Sequence, residues 1–139
     1  MRTNLRLDDL GGFLDEPLVA ILATLRPDGS VLLSPVWHEW RDGGFNLWLP
    51  LEDVKTRHLR RDPRASLVVA ESETPLRGVE LRTEARLIDR DVRATAVRIA
   101  TRYVGEAKGT EYVGSAESDV IARLEPGHLR VWDFADEYD

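Results

Sequence analysis

Hydrophobic positions fall into short runs separated by tight turns. An apolar run of strand length covers residues 18–25, and Pro-Asp-Gly at 27–29 then supplies a turn with proline and glycine where tight turns favour them. Residues 31–40 alternate loosely between apolar and polar, and Arg-Asp-Gly-Gly at 41–44 is a second turn signal before the apolar residues 45–49. This pattern predicts three antiparallel strands in succession.

Helical patterns interrupt the remaining strands. Asp53 is typical of a helix N-cap, and the helix that it begins must end near Asp62 because Pro63 follows. The inward side of this helix is predicted to consist of Val54, His58 and Leu59. A longer amphipathic helix, closed by Gly105, is marked by Val92, Ala96, Ile99, Ala100 and Tyr103. A short N-terminal helix is predicted from Leu7, Leu10, Phe13 and Leu14.

The second half of the chain completes the set of strands. Alternating or apolar segments predict strands over residues 65–70, 77–88, 120–124 and 129–132. The strand over residues 77–88 contains a brief shift in its alternation. Residues 106–119 carry two glycines and small polar side chains, which predicts a loop or a frayed helix.

The composition fits one globular domain. Of the 139 residues, 42% are hydrophobic and 32% are charged, which supports a core and excludes the disordered class. No stretch has the composition of a linker, so residues 1–139 are predicted to form a single domain. Short strands with tight turns, interrupted by a short and a longer helix, favour a mainly β (α+β) Greek-key barrel over an alternating α/β sheet.

Charge restricts the possible partners. The net charge of -6 argues against a general affinity for nucleic acid, because such binding requires a basic surface that neutralises many phosphates. The N-terminus reaches acidic residues before any apolar segment, and no segment approaches the roughly 20 apolar residues of a membrane span. We therefore predict a cytoplasmic protein that binds neither nucleic acid nor membrane.

The sequence lacks the residues that several kinds of chemistry require. Since it contains no cysteine, disulfides, thiolate metal sites and cysteine nucleophiles are excluded. The three histidines, His38, His58 and His128, are scattered and predict no metal site. The G-x-S-x-G element of serine hydrolases and the glycine-rich loops that bind phosphates are also absent. No catalytic side chain is predicted.

The densest basic run covers residues 53–64, with the sequence DVKTRHLRRDPR. The protein has 17 arginines but only two lysines, Lys55 and Lys108, and one of these lysines lies in the run. A lysine is a compact charge that suits phosphate, whereas an arginine presents a planar fork. Lys55 and Arg57 are therefore a candidate anion cradle on a short helix, and a solvated helix face is the alternative. Surface or structural charge is the more typical role for Arg60, Arg61 and Arg64.

Four tryptophans add a second candidate feature. They occupy positions 37, 40, 48 and 132, and any one of them is typical of a core or a dimer interface. Together, and close to a phosphate cradle, they also suit a flat aromatic ligand.

Three motifs follow one another in a specific order and spacing: ILATLRPDG at residues 21–29, LSPVW at 33–37 and KTRHLRRDPRAS at 55–66. The segments at residues 77–87 and 130–133 continue the match. In this order they resemble the flavin- and deazaflavin-binding split β-barrels related to pyridoxamine 5′-phosphate oxidase. The chain resembles most the subgroup whose members use coenzyme F420, and the resemblance covers nearly its whole length.

The resemblance implies a fold, a cofactor and a reaction. The fold is a six-stranded antiparallel split β-barrel, Greek key, with a few flanking helices, which forms a homodimer with two cofactors in clefts between the subunits. The implied cofactor is coenzyme F420, with FMN as the alternative. The protein would then be an oxidoreductase in which the reduced ring supplies a hydride and the pocket orients a small unsaturated substrate.

The resemblance also implies which residues hold the cofactor. The ring would lie along residues 34–37 and the phosphate beside Lys55 and Arg57. The implied cofactor-binding residues are Ser34, Pro35, Val36, Trp37, Leu49, Lys55, Thr56, Arg57, His58 and Trp132. For His58 two interpretations stand: a protonated imidazole could donate to a phosphate, and a neutral one could pack inside the protein.

A non-catalytic protein on the same barrel is the alternative function. Glu52 and Asp53 place negative charge just before Lys55, and Trp48 stands near a position where relatives often carry a small hydroxyl residue. Such a protein would bind or carry a flavin, a deazaflavin or haem without turnover. Oxidation of pyridoxamine phosphate itself is disfavoured, because the short chain shows no second phosphate site.

Overall fold

The structure is a computed structural model that describes residues 1–3 and 5–137. Within these residues, nine strands form two antiparallel sheets. The strands are β1 (Ala20–Leu25), β2 (Val31–Val36), β3 (His38–Arg41), β4 (Gly44–Pro50), β5 (Arg64–Ala70), β6 (Gly78–Glu84), β7 (Arg86–Ile88), β8 (Asp119–Leu124) and β9 (His128–Trp132). The first sheet has the order β2-β1-β5-β6-β9 and the second has the order β3-β4-β8-β7.

The mainly β architecture is as predicted, but the strands are more numerous than six. Two predicted strands, residues 31–40 and 77–88, are each divided between the sheets. The first breaks at Trp37 and the second at Ala85, whose backbone N–H donates to the carbonyl of Pro63 at 2.8 Å. At both places the chain leaves one sheet and enters the other, so each break joins the two halves of the barrel.

The core lies between the two sheets. Its largest members are fully buried side chains from both sheets and from the N-terminal segment, among them Phe13, Leu22, Phe45, Leu47, Leu67 and Leu81. The predicted N-terminal helix is instead two 3₁₀ turns, Leu7–Leu10 and Phe13–Asp15, because Gly11 adopts a φ of 58° that interrupts helical geometry. Arg77 holds this segment to the first sheet, since its guanidinium lies 5.5 Å from the ring centroid of Phe13.

The first helix, α1 (Val54–Arg61), is the predicted basic helix. The side chain of Asp53 caps it by accepting from the backbone N–H of Lys55, as the sequence predicts. Its buried residues are Thr56, His58 and Leu59. The prediction that Val54 faces inward is wrong: it is 42% exposed, because the fully buried Thr56 takes the inward position in the first turn and Val54 lies about 200° from it around the helix axis.

Two further helices, α2 (Val92–Val104) and α3 (Glu106–Val113), pack together beside the second sheet. The segment predicted as a loop or a frayed helix is ordered as α3 over residues 106–113. Gly109 is buried where α3 meets α2, and a Cβ there would lie 3.0 Å from the backbone nitrogen of Thr101. Glycine therefore permits a close helix contact at this position. None of the helices in residues 1–3 and 5–137 is long and apolar enough to cross a membrane.

Candidate functional site

A cleft of about 390 Å³ lies where the start of α1 meets the outer ends of β2 and β4. We call it the Lys55 cleft. It is lined by Val19, Pro35, Val36, Trp37, Trp48, Leu49, Pro50, Lys55 and Tyr112. Of these residues only Lys55 carries a charge, so the cleft suits a largely apolar ligand with an anionic group at one end.

Aromatic rings form one wall of the Lys55 cleft. The indole of Trp37 stacks on the ring of Tyr103, with centroids 4.8 Å apart and planes within 5°. Tyr103 is fixed in turn, because its hydroxyl donates to the carbonyl of Leu18 at 2.9 Å. Tyr112 lies nearly perpendicular to Trp48, with centroids 5.6 Å apart. Since Tyr103 holds Trp37 from behind, this wall is preorganised for a flat ring.

Lys55 is half-buried at the edge of the cleft and is already paired. Its ammonium group lies 2.7 Å from Oδ2 of Asp53. Burial alone would raise the pKa of Asp53, but the hydrogen bonds and charge of Lys55 outweigh burial and hold that pKa below its ordinary value. The cation that would meet an anionic ligand is therefore partly neutralised by the residue that caps its own helix.

The structure separates Lys55 from Arg57, its predicted partner in an anion cradle. Two positions along a helix differ by about 200° around its axis, so the two side chains point to opposite sides of α1. Lys55 lies on the inward side and lines the cleft, whereas Arg57 is exposed on the outer side. A contact of Arg57 with a phosphate stays a prediction, and within one chain Arg57 does not line this cleft.

The two neighbours of Arg57 face into the protein. The hydroxyl of buried Thr56 donates to the carbonyl of Pro50 at 2.7 Å, which ties α1 to the end of β4. His58 is also buried, and its Nδ1 lies 3.0 Å from the hydroxyl of Thr24. Burial, followed by the charges of nearby arginines, lowers the pKa of His58. These contacts favour the interpretation of His58 as a neutral packing residue.

The other predicted site residues divide between the cleft and its surroundings. Pro35, Val36, Trp37 and Leu49 line the Lys55 cleft. Ser34 lies in β2 one position before Pro35. It is half-buried and pairs with Leu22 of β1. Trp132 belongs to β9 at the far edge of the first sheet, where Arg130 lies 4.9 Å from its ring centroid. Trp132 is not among the residues that line this chain's own Lys55 cleft, and its role in cofactor binding stays a prediction.

Four residues that line the cleft were not among the predicted site residues: Val19, Trp48, Pro50 and Tyr112. Tyr112 comes from α3, which lies in the segment predicted as a loop or a frayed helix. The signal that could have identified it is the run of helix formers after Gly105, in which Tyr112 falls one position before the buried Val113.

The arrangement provides shape and one cation rather than a reactive side chain. No group of three His, Asp or Glu residues converges as a metal site in the part of the chain that the structure describes. Apart from Lys55, the polar groups at the cleft are the hydroxyl of Tyr112 and the indole nitrogens. The site can therefore bind and orient a planar anionic molecule, and any chemistry would come from that molecule.

Comparisons with known proteins concern the whole chain and its fold. A family model described as pyridoxamine 5′-phosphate oxidase matches residues 8–133. No curated protein sequence matches the chain. Among solved structures, a conserved hypothetical protein of Mycobacterium tuberculosis, Rv2991, has a TM-score of 0.82 at 24% identity, over 97% of this chain and 89% of that one.

Two further solved structures have names that state a ligand or an activity. A protein named F420 reductase has a TM-score of 0.69 at 22% identity, over 85% of this chain and 93% of that one. HutZ, the haem storage protein of Vibrio cholerae, has a TM-score of 0.71 at 20% identity, over 90% of this chain and 94% of that one. At these identities the similarity shows the fold, and it confirms the predicted split-barrel class.

Proposed function

The chain belongs to the pyridoxamine 5′-phosphate oxidase family, and we propose that it is an oxidoreductase that uses coenzyme F420, with FMN as the alternative cofactor. The observation that carries the proposal is the Lys55 cleft, in which aromatic walls and one cation meet. A structural neighbour named F420 reductase and another named a FAD-binding protein support it, since both have this fold.

The residues of the cleft fit a planar ring that carries an anionic tail. Trp37 and Pro35 would hold the ring, and Lys55 would meet the phosphate. The indole nitrogen of Trp48 is buried without a hydrogen-bond partner in the described part of the chain, which leaves one donor beside the cleft for an acceptor on the ring. When bound, the reduced cofactor would supply a hydride to an electron-poor double bond or carbonyl of a small substrate, and solvent would supply the proton that completes the reduction.

This chain's own residues would contribute binding and orientation. The apolar walls exclude water from the ring, and the stacked pair of Trp37 and Tyr103 keeps one wall in place. Lys55 is the residue that fixes the direction of the ligand, because it is the only charged group among the lining residues. No residue of the cleft needs to gain or lose a proton for this role.

We also propose a homodimer in which β2 lies at the interface. β2 is an edge strand of the first sheet, and its outward face exposes apolar side chains. Val31 is 50% exposed and Leu33 65% exposed, and Pro35 continues this face to the Lys55 cleft. A partner that covers this face would also close the cleft, as the family resemblance implies.

The dimer is tested by measuring mass in solution with sedimentation equilibrium. We expect a mass of two chains for the unaltered protein and of one chain for Leu33→Asp, which places a charge on the apolar face. Arg41→Asp changes an exposed residue outside β2 and serves as the control. A monomeric unaltered protein would contradict this part of the proposal.

Binding without turnover is the second candidate function. The ion pair of Lys55 with Asp53 favours it, because the pair weakens the attraction of the cleft for a phosphate. A protein of this kind would carry a flavin, a deazaflavin or haem, and HutZ shows that a haem storage protein can have this fold.

One set of assays distinguishes the two functions. The purified protein is mixed with F420, FMN and haem, and binding is followed by the fluorescence or absorbance of each ring. Reduced F420 and reduced FMN are then supplied with a panel of enones and quinones, and oxidation of the cofactor is followed by absorbance. Oxidation that depends on both protein and substrate supports the oxidoreductase. Binding without oxidation across the panel supports the carrier.

A further inference from the structure

A second hollow adjoins the Lys55 cleft on the side of α3. It has a volume of about 710 Å³ and is lined by Trp37, Val104, Lys108, Glu111 and Tyr112. We call it the outer hollow. Trp37 and Tyr112 line both spaces, so the two adjoin at these rings and form one aromatic groove.

The fold holds Tyr112 in the groove but does not bury it. Its ring lies 5.8 Å from that of Trp37 and 5.6 Å from that of Trp48, centroid to centroid. Yet 68% of Tyr112 is exposed, which is unusual for a ring with two aromatic neighbours. The neighbouring residues Gly109 and Val113 are buried and anchor α3. Tyr112 therefore stands on a fixed helix with much of its ring open to a ligand.

Each of the two lysines of the chain lines a different part of this groove. Lys55 lines the inner cleft and Lys108 lines the outer hollow. Unlike Lys55, Lys108 is exposed and makes no ion pair within residues 1–3 and 5–137, although Glu111 follows it one turn later on α3. An ammonium group with no protein partner can donate to an oxygen on a ligand in the hollow.

We propose that the outer hollow is the substrate compartment and that Tyr112 is a specificity-determining residue in it. The substrate is a planar conjugated ring that packs on Trp37 and Tyr112 and presents a carbonyl or carboxylate oxygen to Lys108. As a substrate site the compartment rests on the proposed function, because a cofactor in the Lys55 cleft would then lie next to it, with Trp37 and Tyr112 lining both spaces. As a site for a planar oxygen-bearing molecule it rests on the geometry of the hollow alone.

The test uses cofactor-free full-length protein and two probes, 2-naphthoate and its saturated analogue decahydro-2-naphthoate. Both carry the same carboxylate, but only the first is planar and aromatic. Binding is measured by calorimetry and by quenching of tryptophan fluorescence. We expect the unaltered protein to prefer 2-naphthoate, and Tyr112→Ala to reduce that preference by about tenfold. Tyr112→Phe keeps the ring and should keep the preference.

Three further variants locate the probe. Lys108→Gln is expected to weaken binding of 2-naphthoate by about fivefold, and by more than Lys55→Gln does. Glu106→Ala alters an exposed residue of α3 that lines neither space and should have no effect. Circular dichroism verifies that each variant is folded.

Three results would overturn the inference: equal affinity for both probes, a preference that survives Tyr112→Ala, or binding that depends on Lys55 and not on Lys108. Failure of the proposed function is a separate result. A protein that binds neither F420 nor FMN, yet prefers 2-naphthoate in a manner that depends on Tyr112 and Lys108, contradicts the cofactor but retains the compartment.

Discussion

The ammonium group of Lys55 lies 2.7 Å from the carboxylate of Asp53, and the same carboxylate caps the helix on which Lys55 stands. The cation of the Lys55 cleft is thus held in place by a group that also reduces its charge. This pair links the fold of α1 to the ligand preference of the cleft.

Replacing Asp53 with Asn should strengthen the binding of an anionic cofactor. Asn retains the capping geometry, since its side-chain oxygen still accepts from the backbone of α1, but it removes the negative charge beside Lys55. We expect affinity for F420 to rise by about threefold to tenfold, and the effect should shrink as salt is added. Fluorescence titration measures it.

Glu52→Gln is the matched control for that variant. Glu52 is exposed and one residue further from Lys55, so its neutralisation should change the affinity much less. If the two variants behaved alike, the specific ion pair with Asp53 would not be the cause.

Protonation of His38 should destabilise the protein in acid. His38 is fully buried, and its Nε2 lies 2.9 Å from the carbonyl of Leu18. Burial, helped by the charge of Arg102, lowers the pKa of His38 from 6.5 to about 4. Between these values the unfolded chain binds a proton that the folded chain does not, so the free energy of unfolding falls as pH drops through this window. The loss from this group is about 3 kcal/mol.

NMR titration of the histidine ring signals tests this directly. The signal of His38 should remain that of a neutral imidazole from pH 7 to pH 5. Variants with His→Gln at 38, 58 and 128 assign the three signals. A His38 signal that titrates near 6.5 in the folded protein would show that burial does not control this group.

Loss of Arg98 should be costly because of the carboxylate that it neutralises. Two nitrogens of Arg98 bind the carboxylate of Glu39, at 2.8 and 3.1 Å, and Glu39 is only 5% exposed. Arg98→Ala leaves this buried charge with Asn46 as its remaining side-chain donor, and we expect the free energy of unfolding to fall by about 2–4 kcal/mol. Urea denaturation measures the change.

Arg41→Ala provides the comparison for Arg98. The guanidinium of Arg41 is exposed and lies 3.9 Å from Asp42, which is more exposed still, so its removal should change the stability by about 0.5 kcal/mol or less. Adding Glu39→Gln to Arg98→Ala should recover part of the loss. If the double variant recovers none of the lost stability, the packing of Arg98, and not its charge, stabilises the protein.

A side chain on Gly78 should disturb the edge of the first sheet. Gly78 pairs with Trp132, and a Cβ on Gly78 would lie 2.2 Å from Cζ2 of that indole. Gly78→Ala is expected to lower the free energy of unfolding by about 1–3 kcal/mol. Thermal denaturation measures it, with Gly12→Ala as the control because the nearest atom there is 3.8 Å away. Adding Trp132→Val to Gly78→Ala should relieve the clash. If this double variant is no more stable than Gly78→Ala alone, the clash with the indole is not the cause of the loss.

Local patterns predicted most of the fold. The turns at 27–29 and 41–44 and the cap at Asp53 are signals that depend on a few adjacent residues, and all three appear in the structure. The breaks at Trp37 and Ala85 depend instead on which distant strands pair with each half. A loose alternation and a brief shift were the only local traces of these breaks, and neither predicts a change of sheet.

The candidate site was predicted in part for the same reason. The residues from β2, together with Lys55, are adjacent to motifs that the sequence displays, and they line the cleft. Tyr112 is brought in by the packing of α3 on α2, which depends on a glycine that resembles a helix breaker in the sequence. Arg57 shows the opposite error: a short spacing suggested a shared site, while helix geometry turns its side chain away from Lys55.

Cofactor binding in the Lys55 cleft is tested by titration of the cofactor-free protein with F420, followed by the fluorescence of the F420 ring. Unaltered protein and Lys55→Met are compared, since Met retains most of the apolar stem of Lys55 and loses the ammonium group. We expect saturable binding of one F420 per chain at micromolar concentrations, weakened by about tenfold or more in Lys55→Met. Absence of binding at these concentrations by F420, and by FMN in a parallel titration, or equal binding by both proteins, would contradict it.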